Sequence, residues 1–212
     1  MTQAPWQRTV PGKPSLDGLE DRWSQVWDET GVYAFDRSKT REQVFAIDTP
    51  PPTASGSLHV GHVFSFTHTD AIARFQRMRG RAVFYPMGWD DNGLPTERRV
   101  PDFYGVRCDP ALPYDPDFEP AAADAGAQPA DRQGGGSTGG SPPRGQQVPV
   151  SRRNFIELCE RLTTTDEQAF EAMWRRLGLS VDWSMTYQTI GATSRAVSQR
   201  AFLRNLARGG RT

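Results

Sequence analysis

Two hydrophobic rhythms alternate along the first part of the chain. Leu16, Leu19, Trp23, Val26 and Trp27 recur at helical spacing, with Ser15 or Asp17 as the expected cap and Gly31 as the stop. The apolar run VFAID, residues 44–48, is short and runs into prolines, which suits a buried strand. Val60, Val63, Phe64, Thr67, Ala71, Phe75 and Met78 then repeat at helical spacing. They predict a long helix with that face inward and Gly80 at its end. A second strand is expected at 82–85, within RAVFYPMGWD, followed by a loop of Gly, Asp, Asn and Pro. Strand, helix, strand at this spacing is a βαβ unit, so the two strands should run parallel.

The rhythm fails between 119 and 148, where the only bulky apolar residue is the final Val148. Such a segment cannot bury enough surface to offset its ordering entropy and is expected to be a disordered insert. Gly134, Gly136 and Gly139 fit a G-x-G-x-x-G spacing inside it. No strand pattern precedes them and no helical pattern follows, so a dinucleotide loop fails on context. Beyond the insert, Phe155, Leu158 and Leu162 predict one helix. Thr165 to Gln168 looks like a capping box for a second, carrying Phe170, Met173, Trp174 and Leu177 and stopped by Gly178. LSVDW suggests a short strand, and a last helix is expected from about Thr193 to Arg208. Arg200, Arg204 and Arg208 share one face of it, either a solvated charge row or an RNA contact.

Composition narrows the function. With 36% hydrophobic residues, 20 Gly and 17 Pro, the 212-residue chain is lean for one packed unit, which agrees with an unpacked insert. The formal charge is zero, so no global field draws nucleic acid or membrane. Cys108 and Cys159 lie outside any C-x-x-C spacing, which speaks against zinc ribbons and disulfide frameworks. The start lacks an apolar signal core, and no long apolar run follows. The chain is therefore expected to be soluble and cytoplasmic, without a membrane partner. Lys13 and Lys39 are its lysines; every other basic residue except the histidines is arginine.

Chemistry concentrates in TPPPTASGSLHVGH, residues 49–62, between the first strand and the long helix. Open parallel sheets bind ligands beyond the carboxyl ends of their strands, and MGWDDNGLPTE falls on the same edge. His59 and His62 could share a metal, but no nearby cysteine and no H-E-x-x-H glutamate completes a ligand set. They could be helix-start histidines bonded to backbone or water. They could also face phosphate: a helix N-terminus offers unpaired N–H groups and a positive dipole end. The small residues Ala54, Ser55, Gly56 and Ser57 would let a ligand approach the backbone. Gly61 would leave room for a flat base or ribose.

HVGH resembles the HIGH signature of class I aminoacyl-tRNA synthetases. PPPTASGSLHVGH, RFQRMRG, GWDDNGLPTE and LGLSVDWS, in that order, resemble the valyl-type synthetases in their actinobacterial form. The resemblance covers about 15–118 and 148–209. It implies an α/β fold, with an N-terminal helix and the first half of a Rossmann-type (HUP-like) catalytic domain with parallel strands over 1–118. Residues 149–212 would be the helical start of the connective peptide. The implied activity is ATP-dependent activation of valine and its attachment to tRNA(Val) by a monomeric enzyme, with Mg2+ carried by the ATP and no protein-bound metal. His59 and His62 would be catalytic, holding the ATP phosphates; adenosine would pack on Gly61. Asp90 would pair with the amino group of the amino acid, and Pro50 and Pro51 would line its side-chain pocket. His68 would be structural.

The family's second signature, KMSKS, needs lysines, and none follows Lys39. The resemblance is thus to an N-terminal fragment, which alone is not expected to charge tRNA. A non-catalytic nucleotide-binding remnant is one alternative. A free-standing H-x-G-H nucleotidylyltransferase is another, against which the valyl-type loop and GWDD argue. Limited proteolysis is expected to cut first within 119–148; first cuts in the flanking helices instead would refute the insert.

Overall fold

In the computed structural model, residues 15–54, 58–91, 93–120 and 147–210 are described. Most of the expected insert, including Gly134, Gly136 and Gly139, lies outside them, as do Ser55, Gly56 and Ser57. Strand β1 (Val44–Ala46) pairs in parallel with β2 (Ala82–Phe84), Val44 opposite Ala82 and Ala46 opposite Phe84. Helix α2 (Val60–Met78) connects them, as the βαβ pattern requires.

Strand β2 ends one residue short of the expected 82–85, and the chain beyond it continues along the core to a further short strand. Val83, Tyr85, Met87 and Trp89 are all buried, a period-two pattern that keeps one row inside. Along this axis Ile47 donates its N–H to the Phe84 carbonyl at 2.9 Å. Beyond it, Asp90 bonds to Pro52 and Ala54 on one side, at 2.9 and 3.0 Å. On the other side β3 (Gly88–Trp89) pairs in parallel with β6 (Tyr187–Gln188). At Gly88 a Cβ would come within 2.2–2.6 Å of the end of the Tyr187 ring, so a side chain there would have to push Tyr187 aside. Residues 82–90 are thus flanked by chain on both sides.

Two hydrophobic clusters form around this axis. The first joins Phe66 and Ala73 of α2 to Tyr85, Met87 and Trp89, and to Phe170 and Trp174 of α4 (Arg152–Arg176). The second joins Val100 of α3 (Leu94–Tyr104) to Val106, Val150, Leu158 and Leu162. In it β4 (Val106–Cys108) and β5 (Val148–Val150) pair in parallel. Helix α3 begins at the end of the expected Gly/Asp/Asn/Pro loop, and the sequence pattern assigns no element to α3, β4 or β5. Pro95 sits in the first turn of α3, where no N–H is needed.

The inward face of α2 also differs from expectation. Val60, Phe64, Phe75 and Met78 are exposed, while Phe66, Asp70 and Ala73 are buried. A polar anchor sets the rotation. The Asp70 carboxylate accepts from the Ser180 N–H at 2.7 Å and from its hydroxyl at 2.5 Å. It also pairs with Arg74 at 2.7 Å. Arg77 donates to the Ser180 hydroxyl and carbonyl at 2.5 and 2.7 Å, and Arg74 to the Gly178 carbonyl. Facing the apolar stripe inward would break all of these.

Three further readings are corrected. Helix α1 (Leu19–Thr30) is entered through Gly18 at φ 69°, while the Ser15 hydroxyl bonds to Asp17 instead of capping. It ends at Gly31, as expected. Helix α4 runs unbroken for 25 residues. The hydroxyls of Thr163, Thr164 and Thr165 donate to the carbonyls of Cys159, Glu160 and Arg161 at 2.9–3.1 Å, so Thr165 serves the turn behind it and caps nothing. Arg99 of α3 grips Asp166 at 2.5 Å, burying the residue that the capping box placed at a surface start. LSVDW is no strand. Leu179, Ser180 and Val181 are buried irregular chain, and Asp182 caps a 3₁₀ turn by accepting from Ser184 N–H at 3.0 Å. Helix α5 (Ala192–Ala207) lies where expected, with Arg200, Arg204 and Arg208 exposed.

Asp70→Ala strands the buried Ser180 N–H and should lower stability by about 1–3 kcal/mol in urea denaturation. Met78→Ala, on the apolar stripe, should stay within about 0.5 kcal/mol. The reverse ranking would restore the apolar face as the inward one.

Candidate functional site

Helix α2 begins at His59, whose backbone is extended and whose Nδ1 accepts from the Gly61 N–H at 3.1 Å. An accepting Nδ1 puts the proton of the neutral ring on Nε2, which is left as a donor. The His59 ring lies flat on His62, with centroids 3.9 Å apart and planes 20° apart. Gly61 makes this possible: a Cβ there would crowd Nδ1 and Cε1 of His59 at 3.0 Å. His62 is half-buried, and its Nδ1 is enclosed without a hydrogen-bond partner among the described residues. Burial, and secondarily the neighbouring His59, lowers its pKa and keeps it neutral.

The Phe170 ring connects this pair to the strand edge. It meets His62 at 6.1 Å and Trp89 at 6.3 Å. One residue beyond Trp89, Asp90 forms a parallel bridge with Thr53. Its carboxylate receives long contacts from the hydroxyls of Thr53 and Thr189, both at 3.4 Å. The Asp90–Pro52 ladder bond sets the proline run beside this carboxylate, Pro50 exposed and Pro51 half-buried. The structure therefore places His59, Gly61 and His62 together at the helix start, and Pro50, Pro51 and Asp90 together at the strand edge. His68 stands apart, exposed and edge-on to Phe64 at 4.1 Å.

Sequence reasoning missed a second carboxylate centre. Asp91 is 6% exposed, and among the described residues neither of its carboxylate oxygens has an N–H or O–H donor. Burial, then the facing Glu167 of α4, pushes it up to about 7. Burial also raises Glu167, which accepts two bonds from the Gln188 amide at 2.7 and 2.8 Å. Beside them a cleft of about 560 Å³ opens, lined by Trp89, Glu167, Glu171, Tyr187, Gln188 and Ser194. The aspartate doublet was in view, but Glu167 was hidden inside the supposed capping box. Among the described residues no three His, Cys, Asp or Glu side chains are placed to hold a metal ion. No described helix is long and apolar enough to cross a membrane.

Residues 22–109 match the family described as tRNA synthetases class I (I, L, M and V). The chain is 66% identical over 209 residues to the valine--tRNA ligase of Thermobifida fusca, covering 99% of itself and 22% of that protein. It is 66% identical over 200 residues to that of Salinispora tropica, covering 94% of itself and 21% of the relative. With the ligase of Cutibacterium acnes it shares 58% over 207 residues, 97% of itself and 22% of the relative. The fold is similar to LeuRS of Agrobacterium radiobacter K84, solved in a ternary complex with tRNA and LeuAMS. That likeness has a TM-score of 0.60 at 23% identity and covers 92% of this chain and 19% of that one. The chain is a homologue of the valine--tRNA ligases over nearly its whole length and spans about a fifth of theirs. Its α/β fold with parallel strands is that of a class I synthetase half-domain.

Because the His62 pKa is lowered in the fold, the unfolded chain binds its proton more readily below about 6.5. Stability should therefore fall as the pH drops through that window. Thermal unfolding between pH 7 and 5 should show a larger loss of Tm for the parent than for His62→Gln. Equal losses would remove His62 from the titrating groups.

Proposed function

We propose that this chain forms the ATP- and amino-acid-binding face of a valine--tRNA ligase, a soluble, monomeric cytoplasmic enzyme that activates valine and passes it to tRNA(Val). The observation that carries the reading is the stacked His59–His62 pair at the start of α2. It adds ring donors to the N–H groups and positive dipole end of a helix start. In the activation step a carboxylate oxygen of valine bonds to the α-phosphorus of ATP. The bond from that phosphorus to the bridging oxygen breaks, and pyrophosphate leaves with Mg2+. Negative charge grows on the α-phosphate oxygens during this exchange, and preorganised donors there lower the barrier.

His59, through Nε2–H, and His62 serve as those donors. Gly61 gives adenosine a flat surface. Asp90 pairs its carboxylate with the valine ammonium, a charge-assisted bond at the strand edge. Pro50 and Pro51 form a rigid, shallow wall suited to a short β-branched side chain. Two groups of residues thus divide the work, one meeting phosphate and the other meeting the amino acid.

The test places this chain in the matching fifth of the Thermobifida fusca ligase and follows valine-dependent ATP–pyrophosphate exchange. His59→Ala and His62→Ala should each lower kcat about 10²–10³-fold, the effect of losing one preorganised donor. Asp90→Ala should mainly raise KM for valine, since the ammonium is charged in ground and transition states alike. His68→Ala should cost under about tenfold. Unchanged exchange by both His59 and His62 variants, with circular dichroism intact, would overturn the reading.

A further inference from the structure

Asp91 poses a problem that the proposed reaction does not use. Its carboxylate is 6% exposed and has no donor among the described residues, while Glu167 faces it from α4. Two facing buried carboxylates cannot both stay ionised at low cost. Their surroundings differ in one respect. Gln188 directs its amide N–H groups at both oxygens of Glu167, at 2.7 and 2.8 Å, which fixes Glu167 as an acceptor. Among the described residues Asp91 receives nothing on its side chain, while its backbone N–H donates to the Thr189 hydroxyl at 3.1 Å. A proton on Asp91, donated to Glu167, satisfies both groups at once. The other charged neighbours, Asp90 on the same strand end and Glu171 on α4, are acidic too and favour holding that proton.

We propose that Asp91 and Glu167 hold one proton between them and that this proton ties α4 to the end of β3, making Asp91 a positioning residue for Asp90. The tie acts over a short path. Asp91 follows Asp90 directly, and the Asp90 backbone is bonded to Pro52 and Ala54. While Asp91 is neutral, Asp90 has no second charge beside it along the chain. When the proton leaves, two anions face each other in a buried site, and the strand end and α4 must part. On the reading in which Asp90 takes the valine ammonium, valine affinity then declines as the pH rises through neutrality.

The proton and the positioning can be tested without substrate, in the 212-residue chain labelled with ¹³C at its Asp and Glu carboxyls. The Asp91 resonance should inflect near neutral pH, and Glu167→Gln should move that inflection downward. The amides of Asp90 and Ala54 should shift in parallel with Asp91. In Asp91→Asn, which keeps a neutral donor, they should stay at their low-pH position across the range. An Asp91 inflection in the ordinary carboxylate range, or one unmoved by Glu167→Gln, would overturn the shared proton. Amides that ignore the inflection, or that move equally in Asp91→Asn, would overturn the positioning. If all of these hold and isothermal titration shows no valine binding, the inference stands and the ligase reading fails instead.

Discussion

The Asp70 carboxylate holds the rest of the structure in register. Its bonds to Ser180 turn α2 so that Val63, Phe66, Ala73 and Arg77 face the core. His62 lies on that same side, one turn before Phe66. The placement of His62 at the start of the helix therefore depends on a carboxylate two turns further along. Arg74 and Arg77 in turn hold the Gly178 and Ser180 carbonyls, and so the approach of residues 182–189 to the central strand. One buried anion, satisfied by Arg74 and Ser180, thereby orients both sides of the helix start.

The βαβ unit, the long helices and the histidine loop were legible because each rests on a local signal: a period, a glycine stop or a motif. The face of α2 was not. That helix carries two competing stripes, and turning the more apolar one inward would part Asp70 and Arg74 from Ser180 and Gly178, leaving buried polar groups unpaired. The break inside α4 was misread for a related reason. Thr165 and Gln168 satisfy a capping pattern, but the threonine hydroxyls had a nearer acceptor in the preceding turn. Strands β4 and β5 have three residues each, too few for a period to show. The Asp91–Glu167 pair joins residues far apart in sequence, and no pattern in either neighbourhood announces it.

Helix α4 is the strut between the two clusters. Leu158 and Leu162 belong to one, Phe170 and Trp174 to the other, and Asp166 and Glu167 lie between. The buried acids of α4 are thus where the clusters meet. Asp166 is answered by Arg99 of α3 and Glu167 by Gln188 of β6. A displacement of α4 would be felt at the strand edge and at α3 together. Phe170 extends that dependence to the histidines, since its ring touches His62 from one side and Trp89 from the other.

The bond from Gly61 N–H to His59 Nδ1 gives the helix start a latch. The N–H that an anion would seek is already engaged by the ring folded over it. An incoming anion must displace the imidazole before it gains that donor, so recognition there is an exchange of partners, and the anion must outbid a neutral hydrogen bond of about 0.5–1.5 kcal/mol. Chloride and small carboxylates, which bring few contacts, meet that threshold poorly. A polyanion that engaged several N–H groups at once would clear it more easily, and the Nε2–H of the ring would remain the donor that His59 offers it.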